Sequence, residues 1–270
     1  MNVFQMHLSV PQDLSRHYTA SAPQKDCLCG AFWGAIALRT SGIVAVDGEP
    51  VDQDLVAVEC GVTLDAGDPR ESLPPGADPR VDYRLRLPYA ADRARSGTSA
   101  ASLRSAIARC SRGALAPVPV RGPWSEESVL ALFRAVKDHA PTALLVANWR
   151  TGHLWGTRPA PQLLLAHLAG YADEGPPPEW NVGHFVALPF ALSSGGRALV
   201  GVLDTYPTLG WNGYHLQPAS AAARALARED EPSEGGILCI ALAEHEAALR
   251  LALEAQGLAV GDWDNGSDGC

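Results

Sequence analysis

Residues 24–38, QKDCLCGAFWGAIAL, place two cysteines at the start of a run of small and apolar residues. The run predicts a buried helix from Cys29 to Leu38, because its residues are mostly good or neutral helix formers and polar turn residues follow it. A thiol at a helix N-terminus lies at the positive end of the helix dipole, which favours the thiolate. Gln24, five residues before Cys29, can donate a side-chain N–H to a developing oxyanion. The segment therefore predicts covalent thiol catalysis, with a base supplied by another part of the chain.

A predicted β-hairpin supplies that base and a carboxylate to orient it. Two strand-like runs, His184–Leu192 and Arg197–Asp204, are joined by the turn sequence SSGG. An antiparallel hairpin returns the chain to its starting end, so Asp204 is expected beside His184. With a four-residue loop His184 faces Thr205 and Asp204 lies one step diagonal, whereas a one-residue change in loop length or a bulge would place them opposite. Either arrangement permits an imidazole oriented by a carboxylate.

The rest of the chain divides into helical patterns, strand-like runs and loops. Helices are predicted at 100–109, 126–136, 162–168, 220–228 and 241–255, and buried strands at 143–147 and 237–241. Residues 1–23 are interpreted as an irregular lead-in, 65–97 as a charged, turn-rich loop insertion and 261–270 as a frayed tail. Because helices come first and sheet later, we expect an α+β class and a single domain over residues 1–270.

Charge and cysteine content limit the partners and the compartment. The 270 residues carry a formal net charge of -9, which argues against a nucleic-acid binder, since neutralising phosphates needs clustered Lys and Arg. No apolar run reaches the roughly 18 residues of a membrane helix, and Met1–Val10 lacks the pattern of a secretory signal. Six irregularly spaced cysteines are typical of reduced thiols. We therefore expect a cytoplasmic protein with no membrane partner, and the oligomeric state stays open.

Metal and cofactor motifs are not found in the sequence. Cys27 and Cys29 lack a matching second pair, so no metal site is predicted. GxSxG, P-loop, GxGxxG and HExxH patterns are absent, and no cofactor is expected. His153 and His215 are interpreted as surface or loop residues. An aromatic set is interpreted as core and loop packing, although members that line a cleft would favour an extended peptide or an acyl group; the set is Trp149, Trp155, Trp180, Trp211 and Tyr206.

Three short motifs follow one another in the order cysteine, histidine, aspartate. They are Cys29-Gly30-Ala31-Phe32, Gly183-His184-Phe185-Val186-Ala187-Leu188 and Val202-Leu203-Asp204-Thr205-Tyr206-Pro207. Together, over residues 20–220, they resemble the papain-like cysteine peptidase superfamily and look closest to the bacteriocin-leader (double-glycine) peptidases. The chain departs from that pattern in three places: Ala31 replaces a proline, Gln24 lies five rather than six residues before Cys29, and the insertion at 65–97 is unusual for the family.

This resemblance implies a papain-like fold, in which the nucleophile helix packs on an antiparallel sheet. It also implies a thiol-dependent hydrolase that cleaves a peptide, isopeptide or related amide bond through a thioester. In that interpretation Cys29 is the nucleophile, His184 the base, and Asp204 the residue that orients the imidazole. Gln24 and the backbone N–H of Cys29 stabilise the oxyanion, and the partner is a peptide or other acyl or amide substrate.

Three alternatives stay open. Cys27 competes with Cys29 as nucleophile, because Asp26-Cys27 resembles the start of some leader peptidases, whereas the residues after Cys29 fit the family better. An amine could intercept the thioester, which would make the chain an acyltransferase or amide-forming enzyme of a biosynthetic pathway. The third alternative is a catalytically silent papain-like module that binds a peptide. Packed thiols, a core histidine and a turn aspartate would suit such a module.

Overall fold

The computed structural model describes residues 4–229 and 231–267. The strands are β1 (Gln5–Leu8), β2 (Ala45–Val46), β3 (Glu49–Pro50), β4 (Leu115–Val120), β5 (Leu144–Arg150), β6 (Gly183–Ser194), β7 (Arg197–Leu203), β8 (Tyr214–Pro218) and β9 (Gly236–Leu242). The helices are α1 (Leu14–Ala20), α2 (Cys29–Thr40), α3 (Gln53–Cys60), α4 (Ala100–Cys110), α5 (Glu126–His139), α6 (Pro161–Leu168), α7 (Ala219–Ala227) and α8 (Glu246–Ala255).

Seven of the described strands form one sheet. Its strand order is β4-β9-β5-β6-β7-β8, and β1 pairs with the second half of β6. All of its strand pairs are antiparallel. β2 and β3 form a separate small hairpin. The predicted α+β class with an antiparallel sheet is therefore confirmed.

Both faces of this sheet are buried. Along β5, Leu144 and Val146 join the core formed with α2, α3 and α4, whereas Leu145, Ala147 and Trp149 join the core formed with α5, α7 and α8. Alternate residues of a strand point to opposite faces, so one strand contributes to both cores. Covering both faces explains why these strands appear in the sequence as continuous apolar runs.

Helix α2 is buried from Gly30 to Leu38 because four elements, α1, α3, α4 and β6, pack around it. A Cβ on Gly34 would lie 2.8 Å from Cγ1 of Val56 in α3 and 3.0 Å from Cδ1 of Leu103 in α4, so only glycine permits this approach. Trp33 is fully buried and donates its indole N–H to the carbonyl of Phe185 in β6 at 3.2 Å. These contacts hold the start of α2 beside the start of β6.

The hairpin of β6 and β7 differs from the predicted register. Ser194 pairs with Arg197, so the loop has two residues rather than four, and both glycines of the turn adopt positive φ, as tight hairpin turns favour. A bulge between Ala187 and Phe190 then shifts the pairing by one residue. β7 ends at Leu203, so Asp204 is the first residue beyond the strand.

Two predictions about the termini are wrong. The lead-in at 1–23 contains β1 and α1, and the described part of the 261–270 tail is ordered by contacts. Trp263 is buried, and Asn265 accepts the backbone N–H of Ala100 at the start of α4, at 3.1 Å. Residues 1–3 and 268–270 of these two predictions lie outside the described residues. The tail folds because its aromatic and amide side chains find partners on distant elements.

The 65–97 segment is a loop with two short 3-10 turns, at Pro69–Glu71 and Arg93–Arg95, as its turn-rich sequence predicts. The sequence pattern did not predict strand β4, because this strand contains two prolines. It lies at the edge of the sheet, where a proline can be tolerated without the loss of a central hydrogen bond.

No helix in the described ranges is long and apolar enough to cross a membrane.

Candidate active site

Cys29 is the first residue of α2, as predicted, and lines a cleft of about 1010 Å³. The cleft lies between the 65–97 loop, the segment before β6 and residues 264–267. The Cys29 side chain is half-buried, so its thiol is accessible from the cleft. Its backbone N–H belongs to the first turn of α2, where N–H groups have no partner within the helix.

His184 lies at the second position of β6 and is only 2 % exposed. Its Nε2 lies 3.1 Å from Oδ1 of Asp204. Burial lowers the pKa of His184, but the charge and hydrogen bond of Asp204, together with the interaction of the ring with the Cys29 thiol, outweigh burial and raise it to about 10. The three residues are therefore brought together, since the imidazole interacts with both the Asp204 carboxylate and the Cys29 thiol.

Asp204 is held from several directions. Burial raises the pKa of its carboxyl group, but the charge and hydrogen bond of His184 outweigh burial and hold that pKa well below its ordinary value. Oδ1 also accepts the backbone N–H of Tyr206 at 3.0 Å. The Tyr18 hydroxyl donates to the backbone carbonyl of Asp204 at 2.8 Å. This network fixes the carboxylate before any substrate arrives.

A second histidine approaches the other oxygen of that carboxylate. Nε2 of His215 lies 4.0 Å from Oδ2 of Asp204. The Gln217 amide nitrogen lies 3.2 Å from Nδ1 of His215, and an amide N–H donating there puts the imidazole proton on Nε2, facing Asp204. His215 is 3 % exposed, so its interpretation as a surface or loop residue is wrong. Sequence reasoning missed it because β8, which carries it, was not recognised.

Gln24 also reaches the site, through a short chain of hydroxyl groups. Its amide nitrogen donates to the Tyr206 hydroxyl at 2.9 Å, and its carbonyl oxygen accepts the Thr205 hydroxyl at 2.5 Å. The same Thr205 oxygen lies 3.3 Å from Nε2 of His184. Gln24 lines the cleft with Cys29. An amide carries two N–H groups, so one remains after the bond to Tyr206.

Two aromatic side chains enclose His184. The Trp180 ring meets the imidazole edge-on with centroids 4.8 Å apart, and the Tyr206 ring stacks on it at 5.8 Å. Both line the cleft, so these two members of the aromatic set contribute to the site as well as to packing. They keep water from the bond between His184 and Asp204, which strengthens that interaction.

Cys27 is placed differently from Cys29. Its backbone has a φ of 64°, and its sulfur accepts the backbone N–H of Asp65 at 3.4 Å. Burial raises the pKa of the Cys27 thiol to about 11, so it stays protonated at neutral pH. This environment disfavours Cys27 as the nucleophile.

The buried charge pair predicts a pH-dependent stability. The pKa of His184 is raised from 6.5 to about 10, so its contribution is complete below pH 6.5 and is lost as pH rises through about 10. The pKa of Asp204 is lowered, so its contribution to folding stability is present above the ordinary carboxyl pKa and is lost as the pH falls below it. We expect the difference in Tm between wild type and Asp204→Asn to be largest near about pH 5 to 6 and to shrink toward about pH 10. Thermal melting across this range checks it, and a constant difference would contradict it.

In the described residues, no group of three or more His, Cys, Asp or Glu side chains is arranged to hold a metal ion.

Residues 8–264 match DUF6885, described as a family of unknown function, and the chain belongs to that family. None of the curated proteins matches the sequence significantly.

Proposed function

We propose that the chain is a thiol-dependent hydrolase with a papain-like arrangement, which cleaves a peptide, isopeptide or related amide bond. The observation that carries the proposal is the imidazole of His184, held by Asp204 at 3.1 Å and interacting with the Cys29 thiol at the start of a helix in the cleft. Nucleophile, base and orienting carboxylate are the three parts that covalent thiol catalysis requires.

Acylation begins when the Cys29 sulfur attacks the substrate carbonyl carbon while His184 holds the thiol proton. The carbonyl oxygen becomes an oxyanion, which the Cys29 backbone N–H and the remaining N–H of Gln24 stabilise. The C–N bond then breaks, the amine leaves with the proton from His184, and Cys29 keeps the acyl group as a thioester. Asp204 keeps the imidazole oriented and stabilises its charged form.

Deacylation uses the same groups, with water in place of the thiol as the nucleophile and Cys29 as the leaving group. His184 takes a proton from water, whose oxygen attacks the thioester carbonyl. The tetrahedral intermediate collapses, the C–S bond breaks, and the sulfur recovers its proton as the carboxylic acid leaves. Cys27, Cys29, Cys60, Cys110 and Cys239 are all free thiols, which supports a reducing compartment such as the cytoplasm for this chemistry.

Trapping the thioester tests this function directly. With p-nitrophenyl acetate as a generic acyl donor, we expect a burst of p-nitrophenol equal to the enzyme concentration, and an acetyl group on Cys29 by peptide mapping. Acetylation at random surface nucleophiles, with no burst, would contradict the proposal. Repeating the reaction with an added amine distinguishes the two outcomes of the thioester, since an acyltransferase would form the amide in preference to acetate.

A further inference from the structure

Arg228 is a buried arginine that lines the same cleft. It is 3 % exposed and follows α7 as its C-cap residue, with a φ of 48°. This left-handed region of backbone conformation favours glycine, and a non-glycine residue there is strained. The chain therefore keeps a large cation at a position where local structure favours glycine, which is more typical of functional positions than of packing.

The guanidinium group is held by neutral partners. Nη2 donates to Oδ1 of Asn148 at 2.6 Å, and Nη1 donates to the Ser233 hydroxyl at 3.0 Å. Nε is buried and has no hydrogen-bond partner in the described parts of the chain. A guanidinium group has five N–H donors, so these two bonds leave donors available.

No carboxylate of the described residues forms an ion pair with Arg228. The neighbouring Glu231 is instead bound to Arg150, with 3.0 Å between Oε1 and Nε. Burial lowers the pKa of Arg228 to about 10, and the charge of Glu231, which acts in the opposite direction and lies 3.5 Å from the Ser233 hydroxyl, does not outweigh burial. An anion that enters the cleft would relieve the cost of burying this cation.

The position of the guanidinium relates it to the catalytic histidine. Gly183 immediately precedes His184, and a Cβ on Gly183 would lie 3.7 Å from Nη2 and 3.9 Å from Nη1 of Arg228. Asn148, which anchors Nη2, pairs across the sheet with Phe185, the residue after His184. The cation therefore borders the cleft beside the backbone of His184, where part of a bound substrate would lie.

We propose that Arg228 recognises a carboxylate on the substrate, so that the substrates are acidic peptides or other amides with a free carboxylate near the scissile bond. A guanidinium group binds a carboxylate through two parallel N–H···O bonds, and such charge-assisted bonds are the stronger ones. The inference deepens the proposed function and rests on it.

Alkylation of Cys29 by charged and neutral reagents tests this subsite without knowledge of the substrate. The probes are the chloroacetyl derivatives of glycine, β-alanine and γ-aminobutyrate, each as the free acid and as the carboxamide, so that the carboxylate lies at three distances from the reactive carbon. Labelling rates at Cys29 are measured by peptide mapping. For the reagent whose carboxylate reaches Arg228, we expect the acid to alkylate wild-type Cys29 at least about tenfold faster than the matching carboxamide does.

Two variants remove this preference by different routes. Arg228→Gln deletes the charge, and Asn148→Asp places a carboxylate against Nη2 with little change of shape, so the guanidinium is neutralised in place. In both we expect the acid to lose its advantage while the amide rates stay near those of the wild type. Arg16→Gln removes the same charge from an exposed position that does not line the cleft and is expected to keep the preference. Melting temperatures identify a variant that fails to fold.

The possible failures are distinguishable. If the amides label Cys29 rapidly but no acid is preferred in the wild type, or the preference survives Asn148→Asp, the carboxylate subsite is wrong and the proposed thiol chemistry stands. If Cys29 reacts with the amides no faster than glutathione does, the proposed function is wrong and the subsite fails with it.

Discussion

Replacing Cys29 by alanine is expected to abolish both the acylation burst and turnover, whereas Cys27→Ala is expected to leave both near the wild-type level. Cys29 begins α2 beside His184, and no other described thiol interacts with that imidazole. Cys27 instead bonds the backbone of Asp65, and burial raises the pKa of its thiol to about 11. The loss for Cys29→Ala is complete in this interpretation, because the bond that defines the intermediate cannot form.

Peptide mapping and burst kinetics on the two variants, with melting temperatures beside them, check this prediction. Alanine is a good helix former, so Cys29→Ala is expected to fold normally at the first position of α2. Cys27 has a positive φ, so Cys27→Gly is a matched variant that removes the thiol and suits the backbone. The reverse result, with loss only on changing Cys27, would move the nucleophile there.

Asp204→Asn is expected to lower kcat by roughly 10- to 10⁴-fold without unfolding the chain. The amide keeps the size of the side chain but removes the charge that stabilises the imidazolium form of His184. It can also present an N–H where the ring needs an acceptor, which favours the wrong tautomer. Nucleophile and oxyanion donors remain, so some activity is retained.

Steady-state kinetics with melting temperatures separate a catalytic from a structural role for Asp204. His215→Gln is the matched control, because it changes the partner at 4.0 Å from Oδ2 and leaves the 3.1 Å contact with His184 in place. We expect a smaller loss in kcat from that control than from Asp204→Asn. Full activity in Asp204→Asn would reduce Asp204 to a turn residue, and loss of the folded state would make its role structural.

Much of the secondary structure can be predicted from local pattern. Helix α2 begins at Cys29 as predicted, and α5 begins after Ser125, whose hydroxyl caps it as its sequence indicates. The hairpin is recognised from two apolar runs around a glycine-rich turn. Its register is not, because the loop length and the bulge depend on which residues pack on each face. The difference between the predicted and the observed register does not change the prediction that Asp204 contacts His184, since Asp204 lies beyond the end of β7.

What the sequence by itself determined is the set of candidate residues and their chemical types, together with the helix and strand that carry Cys29 and His184. This helix and this strand depend on residues that are neighbours along the chain, and periodicity and capping residues therefore reveal them. Only the tertiary structure decided that His215 joins the site and that Arg228 borders it, because each comes from a segment separate from those of Cys29, His184 and Asp204. Burial and hydrogen-bond partners across such separations are properties of packing, and no local pattern encodes them.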